Sequence, residues 1–283
     1  MRRAPGRPVV VGVNGTSESQ LALRWAVEEA KLRRRPLHVV SAYHLADAGA
    51  MAPPPTAPVL RSPPREIRDA HGRALEYAQG RLDVDEVSGE LVPGGAVSVL
   101  RRAAKLAELL VIGARGRTTR HSVSHSVAAH ASCPTVVVRD RDSAPTSTIV
   151  VGLDGSGEAE RAAAFAFEEA ELREATVEAV HYWVPVGPDP GYKAWVERTG
   201  LDLRRQVAES VAALRTKYPA VVVNELVLEG RPIEELVDRS ANADLVVVGS
   251  RGLGRLVGAL LGSVSHGLLS RAHCSVVVVK GQV

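Results

Sequence analysis

The chain has 283 residues, 45% of them apolar but only 4% aromatic, so its cores must be filled by Val, Leu and Ala, which suits helices stacked on a parallel sheet. Its formal charge of +3 is scattered, the small clusters Arg2-Arg3 and Arg33-Arg34-Arg35 read as solvated faces, and without aromatic platforms no nucleic-acid partner is expected. No apolar run approaches the roughly 18 residues that cross a bilayer, the start Met1-Arg-Arg-Ala-Pro leads into too short a Val run for a secretory signal, and Cys133 and Cys274 are too few for a disulfide framework; a cytoplasmic protein with no membrane partner is expected.

The first predicted strand is Val9-Val-Val-Gly12, followed by Val13-Asn14-Gly15-Thr16 and a stretch containing Glu28-Glu29-Ala30. Between the second strand and second helix lies a Pro-rich insert, 51–64, whose prolines forbid regular structure; it reads as a crossover loop, with a lid or docking segment as the alternative. Leu110-Val-Ile-Gly113-Ala-Arg115-Gly116 follows as another strand and turn. His121 and His125 stand i, i+4 on a predicted helix, a spacing that can hold a metal, but no third ligand joins that face and no Glu completes a hydrolytic zinc motif. They read as structural or solvated histidines, and no metal site is expected.

From residue 149 the chain repeats itself. Ile149-Val-Val-Gly152-Leu-Asp154-Gly155-Ser156 matches Val9 to Thr16 at a constant offset, Glu168-Glu169-Ala170 matches Glu28 to Ala30, Val246-Val-Val-Gly249-Ser-Arg251-Gly252 matches Leu110 to Gly116, and Ala272-His-Cys274 matches Ala131-Ser-Cys133. Two domains are therefore expected, at 1–142 and 147–283, joined through the polar, Pro-containing stretch 139–148. Equivalent placement of the two cysteines predicts a repeated packing role as small buried hydrophobes, with redox sensing as the alternative. In the second copy the periodicity predicts strands at 149–153, 176–182, 221–227, 244–249 and 275–279, and helices at 157–173, 194–217, 232–241 and 263–272. The fold class is thus α/β: two tandem Rossmann-like domains, each a five-stranded parallel sheet with helices on both faces.

In such sheets ligands bind beyond the carboxyl ends of the strands. There the second copy places Gly249-Ser-Arg251-Gly252 and, farther on, Gly262-Ser263-Val264-Ser265. A backbone that wraps a phosphate chain needs glycine where a Cβ would collide with it. Gly262 and Ser263 open a helix whose free N–H groups, those of Val264 and Ser265 included, favour an anion, and the Ser263 and Ser265 hydroxyls are further donors. Arg251 lies where a guanidinium could reach a phosphate or serve the fold. Asp154, just beyond the first strand, would emerge on the same sheet edge and suits a sugar or base; a turn or N-cap role is its alternative. Neither a P-loop nor a Gly-x-Gly-x-x-Gly turn is present.

These residues resemble the universal stress protein family. Gly249, Gly252, Gly262 and Ser263 match the Gly-x2-Gly-x9-Gly-Ser/Thr motif of its ATP-binding members, Asp154 matches the acidic residue that contacts the nucleoside, and Val180 the position whose backbone meets the adenine. The resemblance covers nearly the whole chain in tandem, and it implies ATP as ligand, with or without Mg2+, and a role in stress response. Family members pair their last strands across a two-fold axis, which implies intramolecular pairing of the two domains and leaves a homodimer open. Copy one departs from the motif: Asn14 replaces the acid, the stretch Gly116 to Ser122 is five residues shorter than Gly252 to Ser263, and His121 stands in place of the third glycine. One nucleotide per chain is expected.

No nucleophile-base pair is visible in the site. The reading is a nucleotide-dependent binding protein for an unknown protein partner, with a slow ATPase, an ATP-using transferase or a structural module with a vestigial site as alternatives.

Overall fold

A computed structural model of the protein describes residues 6–44, 63–114, 123–141, 144–184, 192–252 and 261–281, and for 192–195 the backbone alone. Residues 51–62 of the insert 51–64, His121 and the stretch 115–122 lie outside the described residues. The chain divides into two compact units, Met1–Gly113 and Ala114–Val283.

The first unit is built from β1 (Val9–Gly12), α1 (Ser17–Arg33), β2 (Leu37–Tyr43), α2 (Arg65–Gln79), β3 (Val87–Pro93), α3 (Ala96–Ala104) and β4 (Leu109–Gly113). Its strands run in the order β3-β2-β1-β4, and the β1–β2, β1–β4 and β2–β3 pairs are all parallel. Val9, Val11, Leu109 and Val111 have no exposed surface, as expected of strands covered on both faces. Helix α1 buries Ala22, Leu23, Ala26, Val27 and Ala30, one stripe at helical spacing. Thr16 caps its start by accepting from the Ser19 amide, and Arg34, left-handed at φ 52°, ends it.

The second unit begins with α4 (Val123–His130) and β5 (Thr135–Val138), the last elements of the first repeat. It continues with β6 (Thr148–Gly152), α5 (Gly157–Arg173), β7 (Thr176–Trp183), α6 (Tyr192–Lys217), β8 (Val223–Glu229), α7 (Pro232–Arg239), β9 (Leu245–Gly249), α8 (Ser263–Arg271) and β10 (Ser275–Val279). The strand order is β5-β10-β9-β6-β7-β8. All neighbours from β10 to β8 are parallel, whereas β5 meets β10 antiparallel, Val137 opposite Val276 and Val136 opposite Val277. The Val-rich edge of β10 is thereby covered, which removes an aggregation-prone row of unpaired backbone groups.

The repeat extends to polar detail. Glu29 and Glu169 are completely buried, and each is paired with an arginine one turn later, Arg33 and Arg173. Between the repeats, Asp244 accepts from the Thr146 amide (2.9 Å) and is paired with Arg141, so part of the linker is tied down. Cys133 and Cys274 are buried and form no disulfide, and burial pushes the Cys274 thiol up to about 12. That environment keeps a thiol protonated and unreactive, in keeping with a packing role. His125 belongs to α4; its ring meets that of His266 edge-on with centroids 5.0 Å apart, and it shares a hydrogen bond with Ser270 (3.1 Å).

Candidate functional site

Strands β6 and β9 are neighbours, and the chain leaves them for helices α5 and α8 at the same end of the sheet. This is the switch point, where the connections on either side diverge and leave a crevice. A cavity of about 350 Å³ opens there, within the roughly 300–1,000 Å³ common for small-molecule pockets. Asp154, Val180, Gly249, Arg251, Gly252, Gly262, Ser263, Val264 and Ser265 all line it.

On the β6 side the turn is shaped by Gly155, whose φ of 80° few other residues adopt. Asp154 Oδ1 accepts from the Ser156 amide (3.0 Å), and the Ser156 side chain accepts from Ala159 to cap α5. The turn role and the position on the cavity wall therefore coexist in one side chain: one oxygen shapes the turn while the other approaches Gly252. A Cβ on Gly252 would lie 2.1 Å from Asp154 Oδ2, so a larger residue there would have to displace the carboxylate.

On the β9 side, Glu158 reaches from the first turn of α5 and accepts from the Ser250 hydroxyl (2.7 Å) and the Arg251 amide (2.5 Å). It thereby holds the start of the glycine loop against α5. The loop's far end is closed by the Gly262 amide donating to Ser250 O (2.7 Å). Ser265 is buried, and its hydroxyl donates to Ser250 O or Gly262 O, each at 3.2 Å, so it fastens the loop; Ser263 is exposed at its mouth. Among the described residues no side chain caps α8, and the Ser263, Val264 and Ser265 amides precede its first helical bond, made by His266 to Gly262 O. Uncapped amides at a helix start form an anion site. Gly262 has an ordinary φ of −69°, and a Cβ there would meet no atom of the described residues closer than 3.4 Å, so those residues do not themselves require glycine at this position.

The remaining walls include Tyr182, Pro232, Leu236 and Val248, with His181 beside them, residues that sequence reasoning did not single out. His181 Nδ1 donates to Leu153 O (2.8 Å), which fixes the imidazole against the turn. Val180 accepts through its carbonyl from the Leu153 amide (2.8 Å), leaving its second lone pair toward other donors. The cavity thus has an apolar end at Val180, Leu236 and Val248, a carboxylate midway at Asp154, and free amides at α8. Glu158 was missed because its partners lie 92 and 93 residues away; its recurrence as Glu18 in the first repeat was the available signal.

A sheet of parallel strands joined through flanking helices places each repeat in the Rossmann-like α/β class. The family model described as the universal stress protein family matches residues 6–139 and 145–280. The chain belongs to the universal stress protein family. It is 35% identical to universal stress protein Rv2623 of Mycobacterium tuberculosis over 96% of both chains, and 36% identical to universal stress protein Mb2028c of Mycobacterium bovis, again over 96% of both. A crystal structure of a universal stress protein from Archaeoglobus fulgidus shares the fold at a TM-score of 0.69, covering 97% of this chain and 96% of that one at 17% identity. Among the described residues no helix is long and apolar enough to cross a membrane.

Proposed function

We propose that the second repeat binds ATP in the cavity at the ends of β6 and β9, and that occupancy is the state read by a protein partner during stress. The observation that carries this is the pairing, around one cavity, of the uncapped α8 N-terminus with Asp154. Triphosphate oxygens would take the Ser263, Val264 and Ser265 amides, with Arg251 as a charge at the loop mouth and Mg2+ carried on the phosphates. Asp154 would accept from the ribose hydroxyls, and adenine would lie against Val180, Leu236 and Val248. Gly262, which no described residue requires, would make room for the phosphates. The first repeat, with Asn14 at the acid's place and a loop five residues shorter, would bind nucleotide weakly or not at all. Cytoplasmic ATP would fill the site.

Denaturing the purified protein and identifying the released molecule by mass spectrometry tests this. ATP or ADP near one per chain supports the reading, whereas AMP with pyrophosphate points to an adenylating enzyme and no nucleotide to a structural module. A bulky residue at Gly262 should abolish ATP binding by calorimetry; unchanged affinity would refute the loop assignment.

A further inference from the structure

A second cavity, of about 230 Å³, lies wholly within the first unit, between α1 and α2. Its floor is apolar: Val13, Leu23, Ala70 and Ala74 contribute, all buried. Tyr77 forms one wall, and the Arg81 guanidinium stacks on its ring at 3.8 Å from the centroid and donates to Tyr77 O, which steadies the ring. At the rim stand Arg24 from α1 and Arg73 from α2, both exposed. Neither has an ion-pair or hydrogen-bond partner among the described residues; Asp69, one turn before Arg73, is paired with Arg65 instead.

The second repeat is packed differently at the matching place. A Cβ on Gly15 would meet Ala70 Cβ at 3.0 Å, and a Cβ on the matching Gly155 would meet Gln206 Nε2 at 2.0 Å, so the space beside Ala70 is filled by a longer side chain in the other copy. By the same register Glu209 stands for Arg73, and by the β1 offset Ala164 stands for Arg24. The space beside Ala70 and its positive rim therefore have no counterpart at the matching positions of the second repeat.

We infer that this cavity binds a small organic carboxylate with a flat apolar body. The apolar part would displace water from the Val13, Leu23, Ala70 and Ala74 floor and lie along Tyr77. The carboxylate would take the two guanidinium groups, whose planar donors match its two oxygens. At about 230 Å³ the space suits a body of one or two fused rings. The rim is exposed to solvent, so affinity should fall as salt rises.

Naphthoate is a suitable probe, titrated by calorimetry into the full-length protein with naphthalenemethanol as the neutral analogue. Saturable binding at one site per chain is expected, undisturbed by excess ATP and about tenfold tighter for naphthoate than for the alcohol. The surface double variant Arg24→Ala/Arg73→Ala should erase that preference while still binding the alcohol. Ala70→Gln, which installs the side chain of the second repeat, should abolish binding of both probes. Absence of saturable binding, displacement of naphthoate by ATP, or affinities unchanged in both variants would overturn the assignment.

Discussion

The β1–α1 turn of the first repeat and the β6–α5 turn of the second solve one backbone problem with different side chains. Asn14 Oδ1 accepts from the Thr16 amide (3.2 Å) as Asp154 Oδ1 does from Ser156 (3.0 Å), and Gly15 and Gly155 share a positive φ, 87° and 80°. The amide side chain serves the turn as the carboxylate does. What it lacks is the charge, which in the second repeat sits beside Gly252 on a cavity wall. The needs of the turn and the chemistry of the cavity wall are thus separable at a single position, where a repeat can keep the first without the second.

The strongest way to break this comparison is Gly252→Ala. Its Cβ would drive Asp154 from its place, so ATP affinity measured by calorimetry should fall by about a hundredfold or more, the cost of losing two charge-assisted contacts. Circular dichroism should remain native. Asp154→Asn makes the second turn resemble the first. Thermal stability should be unchanged, because Asn14 already shows that an amide supports this turn, while ATP affinity drops about tenfold through loss of a charged acceptor. A drop in melting temperature would mean that the carboxylate serves the fold as well.

The smallest effect concerns acid. His71, buried in α2 and sharing a hydrogen bond with Ser41 (3.0 Å), is held below the ordinary histidine value by burial and then by the nearby His38. By register the second repeat has Val207 there. As pH falls below the ordinary histidine value of 6.5, the unfolded chain takes up a proton that folded His71 resists, so stability declines on the acid side. His71→Val should flatten that decline by about 1 kcal/mol or less between pH 7.5 and 5.5, read by urea titration. An identical acid slope in the variant would show that His71 contributes nothing. His125, also lowered by burial first and then by His266 and Arg139, should supply much of the slope that persists.

Much of the architecture was legible because buried strands and capped helices leave periodic marks. The helix expected at 157–173 is α5, and the strand expected at 275–279 is β10. The helix expected at 232–241 stops at Arg239, where a short 3-10 turn takes over, since Ser240 bonds back to Val237 O and no apolar stripe marks such an ending. Contacts between distant segments were less legible. Nothing local in Thr135–Val138 announces its antiparallel partner, because an all-Val edge suits either direction. Ser265 looked like a free donor at a helix start, yet its hydroxyl is used on loop carbonyls, a choice made by burial. The cavity between α1 and α2 was invisible for a similar reason: small residues such as Ala70 and Ala74 mark close packing as often as empty space.

The most direct measurement is the stoichiometry of ATP on the intact chain, by calorimetry on protein stripped of nucleotide. One ATP per chain, lost in Gly252→Ala and untouched when Asn14 is changed to Ala, is the predicted result. Two ATP per chain, or one that survives Gly252→Ala, would contradict the assignment of the nucleotide to the second repeat.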